Sequence, residues 1–214
     1  MVNFDEISEL VQKGKAKDVQ EVISKALEEG ADAKQILNDG LLAGMAVIGE
    51  KFKRDEVFVP QVLVSARAMN TGVKILKSRL VDENSEASGI AILGTVKGDL
   101  HDIGKNLVKI MLEGKGLEVI DLGVDVPAEK FIDEAIAHNA DVICCSALLT
   151  TTMSVMKDVV DLAAEKGIRD NVKILIGGAP VTQDFCDKIG ADIYTNDAAS
   201  CADEALKVAQ AKKA

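Results

Sequence analysis

Four amphipathic helical segments followed by five short apolar runs that alternate with helices predict a chain in two parts. The first is an N-terminal four-helix bundle, and the second is an α/β domain with a five-stranded parallel sheet flanked by helices. Helical periodicity runs to about residue 80, the polar stretch VDENSEAS (81–88) interrupts it, and from Gly89 the pattern becomes strand-like. With 214 residues, 48% of them hydrophobic, the chain is long and apolar enough for two modest cores.

In the first part, Phe4, Ile7, Leu10 and Val11 form one apolar stripe and Val19, Val22, Ile23, Ala26 and Leu27 a second, with Gly14 and Gly30 as stops. Asp32 and Gln35 resemble a capping box for a third helix carrying Ile36, Leu37, Leu41, Met45 and Ile48, which KRDEVFVP ends. Pro60 suits the first turn of a fourth helix with the stripe Leu63, Ala66, Met69, Val73 and Leu76. The expected division is a helical domain over 1–84, a linker at 85–88 and an α/β domain over 89–214.

The strand candidates in the second part are GIAILGTV, LEVIDLG, DVICCSAL, VKILIGG and ADIYTN. Runs apolar on both faces suit a parallel sheet covered by helices, and such sheets bind ligands beyond the carboxyl ends of their strands. Cys144 and Cys145 fall inside one run and read as small buried hydrophobes; with Cys186 and Cys201 they form neither a CxxC pair nor a disulfide framework.

The net charge of −10 is dispersed, and no lysine or arginine tract is present to follow a phosphate backbone, so nucleic acid is not an expected partner. No apolar stretch reaches the roughly 20 residues a membrane span needs. The start MVNFDEISELVQKGK lacks the basic-then-apolar order of a signal peptide, so a cytoplasmic location is expected.

KGDLHDIGKN follows the first strand and places Asp99, His101 and Gly104 in the loop and helix start where this architecture puts ligands. An acid two residues before His101 can accept one ring N–H, fix the tautomer and make the other nitrogen a better metal donor. His138, the other histidine, ends a predicted helix, where it caps the helix or faces water.

Asp99-Leu100-His101-Asp102-Ile103-Gly104, Ser146-Ala147-Leu148 and Gly177-Gly178 together resemble the B12-binding signature DxHxxG, SxL and GG. Forty-one residues separate Gly104 from Ser146 and 28 separate Leu148 from Gly177, as is usual in that family. The resemblance implies a flavodoxin-like (Rossmann-like) sheet. It also implies cobalamin or a related cobamide bound base-off/His-on, with His101 as lower axial ligand to cobalt. Asp99, Asp102 and Ile103 accompany that ligand, while Gly104, Ser146, Leu148, Gly177 and Gly178 line a slot for the displaced nucleotide tail.

Thr150 and Thr152 stand where relatives carry hydroxyls near the tail and the His–Asp pair; Thr152 replaces the serine of methionine synthase. The helical part resembles the cap of the same family, with Phe52 and Val59 at the positions that cover the corrin's upper face. Bundle packing accounts for those two residues equally well.

What the family implies is a corrinoid methyl-carrier protein with no catalytic residue independent of its cofactor. It would shuttle a methyl group between a substrate-specific corrinoid methyltransferase and a second methyltransferase acting on tetrahydrofolate or a thiol, with a reductive activase as a further partner. Methylated amines, betaines, methanol and aryl methyl ethers stay open as donors. A cobalamin-dependent regulator would need an output module, and no basic DNA-binding segment precedes the bundle; the small subunit of a B12-dependent mutase shares the histidine motif but not the bundle.

Overall fold

In the computed structural model, which describes residues 3–82 and 87–213, the apolar stripes fold into two units, Met1–Glu86 and Ala87–Ala214. Of the stretch expected to link them, residues 83–86 lie outside the described residues.

The helical unit comprises α1 (Phe4–Gln12), α2 (Ala16–Glu28), α3 (33–53) and α4 (Val59–Asp82). The Asn3 side chain caps α1 by accepting from the Glu6 N–H, and Asp32 caps α3 by accepting from the Lys34 N–H at 2.8 Å. Ile7, Val11, Val19, Ile23, Ile36, Leu41, Met45, Met69 and Leu76 are buried as the stripes require.

Two details differ from the periodicity. The third helix is not α-helical throughout: Ala33–Gln35 leads into a π-helical stretch, Ile36–Leu42, before Ala43–Lys53 resumes the α form. α1 approaches it so closely that a Cβ at Gly44 would stand 2.7 Å from the Ser8 carbonyl oxygen. On α4, Leu63 is 49% exposed, and its neighbour Val62 takes the core position. One residue of rotation, about 100° on an α-helix, is enough to exchange the two.

The α/β unit holds β1 (Ile90–Thr95), β2 (Glu118–Asp121), β3 (Val142–Ser146), β4 (Lys173–Gly177) and β5 (Ile193–Thr195), all parallel, in the order β2-β1-β3-β4-β5. Between them lie α5 (Ile103–Gly114), α6 (Ala128–Ala137), α7 (Ser154–Glu165) and α8 (Gln183–Ile189), and α9 (Ala198–Lys213) follows β5. Helices α5 and α9 pair with each other, as do α6 and α7. Ile92, Ile143 and Ile174 pack with Phe131, Ile132, Met156 and Val159 in one continuous core.

The expected five-stranded parallel sheet flanked by helices is therefore the observed one. Because strands alternate their side chains, Cys144 and Cys145 leave β3 on opposite faces, and both are buried. Burial pushes the Cys145 thiol well up. Strand order reverses between β1 and β3, so the crevice beyond their carboxyl ends is the switch point of the sheet. Among the described residues, no helix is long and apolar enough to cross a membrane.

Candidate functional site

The strand register aligns residues that are far apart in the sequence. Thr95 pairs with Ser146 and Ser146 with Gly177, so the ends of β1, β3 and β4 form one row at the carboxyl edge. The DxHxxG loop, the SxL loop and the double glycine leave from that row side by side.

Asp99 sits at its centre with no solvent exposure. Its Oδ1 accepts from the His101 N–H at 3.1 Å and faces His101 Nδ1 at 2.7 Å. Its Oδ2 accepts from the Leu148 N–H at 2.7 Å, the Leu149 N–H at 3.1 Å and the Thr152 hydroxyl at 3.1 Å. Burial alone would raise the Asp99 pKa. The Leu148 N–H, the His101 ring and the N–H groups of His101 and Leu149 outweigh burial and hold the carboxyl well below the usual carboxylate range.

An ionised Asp99 accepts only, so the bond to Nδ1 requires Nδ1–H and leaves the lone pair of His101 on Nε2. The His101 side chain is 51% exposed, so the ring is open to solvent in part. Thr95, fully buried, donates its hydroxyl to the His101 carbonyl at 2.9 Å and ties the loop to the end of β1.

The DxHxxG and SxL loops carry large apolar side chains on the surface. Leu100, Ile103, Leu148 and Leu149 are exposed, and a Cβ built on Gly104 would meet nothing within 4 Å. Gly178 is a necessity of the backbone: its φ is +128°, and a Cβ there would lie 1.8 Å from the Ala147 carbonyl oxygen. The turn can therefore press against the SxL loop only with glycine at position 178. Gly177 and Ser146 are half-buried beside it, and Thr150 is exposed on the following turn, away from the Asp99 carboxylate that Thr152 reaches.

Asp102 precedes α5 and accepts from the Asn106 side chain at 3.1 Å. Phe52 and Val59 belong to the helical unit, at the end of α3 and the start of α4, and both are half-buried there. His138 follows α6 as its C-cap residue, its Nε2 3.3 Å from Glu134 on the surface.

Sequence reasoning passed over Thr95, Asp125 and the pair Lys105–Asp121. Lys105, 3% exposed, puts Nζ 2.6 and 2.7 Å from the Asp121 carboxylate and 2.8 Å from Asn106 Oδ1. Burial raises the Asp121 pKa, but Lys105, the Gly123 N–H and Lys109 prevail and lower it. A lysine in the first turn of a helix opposes the helix dipole, so a buried one demands an acid nearby; the burial that makes the demand is set by the fold.

Two family models, each described as a B12 binding domain, match this chain over residues 89–205 and 4–77. The chain belongs to the B12-binding corrinoid protein family. A dimethylamine corrinoid protein of Methanosarcina acetivorans is 43% identical over 203 residues, covering 95% of each chain. A trimethylamine corrinoid protein of Methanosarcina barkeri is also 43% identical, over 88% of this chain and 89% of its own. Among solved structures, a methanol:cobalamin methyltransferase complex from M. barkeri matches with a TM-score of 0.85 at 33% identity, over 95% of this chain and 78% of that one.

A cobamide is therefore the cofactor this corrinoid protein has to fit, and three observations fit it. The His101 ring is fixed at Nδ1 and available at Nε2, the space over Gly104 is empty of protein, and the exposed leucines and isoleucine offer apolar contact to a macrocycle.

Proposed function

We propose that this corrinoid protein is the mobile methyl carrier of a multi-component methyltransferase system and holds its cobamide base-off with His101 as lower ligand. One observation carries the reading: Asp99, wholly buried and bonded by five donors including the His101 ring, fixes that ring with Nε2 outward at the switch point of the sheet.

When bound, the cobalt of the cofactor supplies a centre that accepts a methyl group and releases it to a second acceptor. Residues of the chain do the rest. Nε2 of His101 offers the lone pair, Asp99 keeps the proton on Nδ1, and Leu148, Leu149 and Thr152 keep Asp99 from turning away. Gly104, Ser146, Leu148, Thr150, Gly177 and Gly178 would border the nucleotide tail, with Asp102 and Ile103 at its entrance. Phe52 and Val59 would shield the methyl-bearing face, as they would in the family's cap; Phe52→Ala is then expected to speed anaerobic photolysis of the methylated cofactor.

The partners in this reading are a substrate-specific methyltransferase, a second methyltransferase acting on tetrahydrofolate or a thiol, and a reductive activase. The cytoplasm is the compartment in which they would meet. Methylated amines are the first donors to assay, because two relatives at 43% identity carry dimethylamine and trimethylamine in their names.

The deciding experiment reconstitutes the chain with cobalamin and records electron paramagnetic resonance of the Co(II) form, using cofactor isotopically labelled in its benzimidazole. Splitting from a protein nitrogen that disappears in His101→Ala is expected. Splitting that follows the benzimidazole label would refute His-on binding. Methyl transfer should then require an added methyltransferase, and turnover by the chain alone would refute the carrier role.

A further inference from the structure

The loop after β2, residues 122–127, contains no part of the B12-binding signature, yet it is stitched to the His101 loop along its length. The Thr95 N–H donates to the Gly123 carbonyl at 3.0 Å, the Val126 N–H donates to the Thr95 carbonyl at 3.0 Å, and Val96 and Val126 form an isolated parallel bridge. Between these contacts stands Asp125. Its Oδ1 accepts from the Gly98 N–H at 2.7 Å, and its own N–H donates to the Asp99 carbonyl at 3.0 Å. One residue thus grips the backbone on both sides of the peptide joining Gly98 to Asp99.

The grip depends on an uncommon backbone. Asp125 has φ of +56°, a left-handed conformation that few residues other than glycine, asparagine and aspartate adopt. Gly98, its partner, has φ of +84°. Left-handed geometry at a non-glycine persists only where neighbours over-determine it, and here the conformation lets Asp125 aim a backbone donor and a side-chain acceptor into one loop. Asp125 is exposed, so its carboxylate contributes nothing to a core.

We propose that Asp125 is a positioning residue for His101. By fixing the Gly98–Asp99 peptide it sets where the Asp99 side chain leaves the backbone, and thereby the direction of the imidazole. This rests on the reading of His101 as the lower ligand. Asp125 touches neither the ring nor the space over it, so it acts through Asp99.

Three variants of the full chain separate acceptor from backbone. Asp125→Asn keeps an Oδ1 acceptor and tolerates left-handed φ, so it is expected to behave as the parent. Asp125→Gly keeps the backbone freedom but loses the acceptor, and Asp125→Ala loses both. In the cofactor-free protein, the Gly98 amide of Asp125→Gly should exchange about tenfold faster than in the parent. Nitrogen NMR should show the His101 ring shifting from a single Nδ1–H tautomer toward a mixture.

With cobalamin bound, the histidine nitrogen splitting of Co(II) should weaken in Asp125→Gly, matching an affinity of the ring for cobalt about tenfold lower. Asp125→Ala should weaken it at least as far and have the lowest thermal midpoint, because alanine is strained at a left-handed φ, so Asp125→Gly, which avoids that strain, carries the test. A parent-like ring tautomer and splitting in Asp125→Gly would overturn the proposal, as would an Asp125→Asn variant as impaired as the glycine one. If the parent shows no histidine splitting, the lower-ligand reading falls instead; the cofactor-free tautomer and exchange data still decide whether Asp125 orients the ring.

Discussion

His101 and His138 each lie against a carboxylate, at 2.7 Å and 3.3 Å, and each is about half exposed. The difference lies one step further out. Glu134 is a surface residue on the same helix as its partner, and an exposed i,i+4 pair contributes a few tenths of a kcal/mol. Asp99 is buried, and the SxL loop supplies three of its five donors from across the sheet. A carboxylate held by donors from two segments of the chain can in turn hold a ring. The contrast between these regions is a contrast in what restrains the acid, and distance to the histidine does not reveal it.

The sharpest way to break the comparison is to remove each ring. With cobalamin bound, His101→Ala should abolish the protein nitrogen splitting of Co(II), and His138→Ala should leave it intact; equal effects would dissolve the distinction. Next in size is the acid itself. Asp99→Asn turns an amide toward backbone donors that need an acceptor, and urea unfolding of the cofactor-free chain should show a loss of about 2–3 kcal/mol. Glu134→Gln should cost about 0.5 kcal/mol or less.

That loss should also depend on pH. Asp99 is ionised more readily when folded than its ordinary value of 3.8 allows, so its contribution is complete above that value and fades as the pH falls below it toward the folded value. The gap between the parent and Asp99→Asn in urea midpoints should therefore be full at pH 6 and shrink below about pH 4. A gap independent of pH would mean that Asp99 is not charged in the folded chain. A single donor should matter less than the acid it meets: Thr152→Val should cost about 1 kcal/mol, whereas Thr152→Ser, which keeps the hydroxyl, should cost only a few tenths.

Much of the site could be read before any coordinates, because its parts are local. DxHxxG is one loop and helix start, and the doublet Gly177-Gly178 is one turn, so chemistry and spacing survive in the one-dimensional text. Thr95, Asp125 and Lys105 could not be read in this way. Each acts through a contact that exists only once the chain has folded back on itself: the Thr95 hydroxyl meets the His101 carbonyl across the turn of the loop after β1, Asp125 crosses from the neighbouring loop to Gly98, and Lys105 reaches from its helix to Asp121. Leu63 and Val62 show the same limit within a single helix. Both are apolar, and only packing against the rest of the bundle chose which of the two is buried.

The amino-acid order by itself determined the periodicities, and with them a helical bundle followed by a parallel sheet, because burying apolar faces at periods near 3.6 and 2 leaves few other architectures. It also determined that one histidine, next to an acid, would lie at the carboxyl edge of that sheet. Tertiary structure alone decided that Asp99 would be buried and met by five donors, since a backbone N–H 49 residues away becomes a partner only when β1 and β3 lie in register. That pairing converts a flexible Asp-x-His motif into a ring with one fixed tautomer and one nitrogen free to bind.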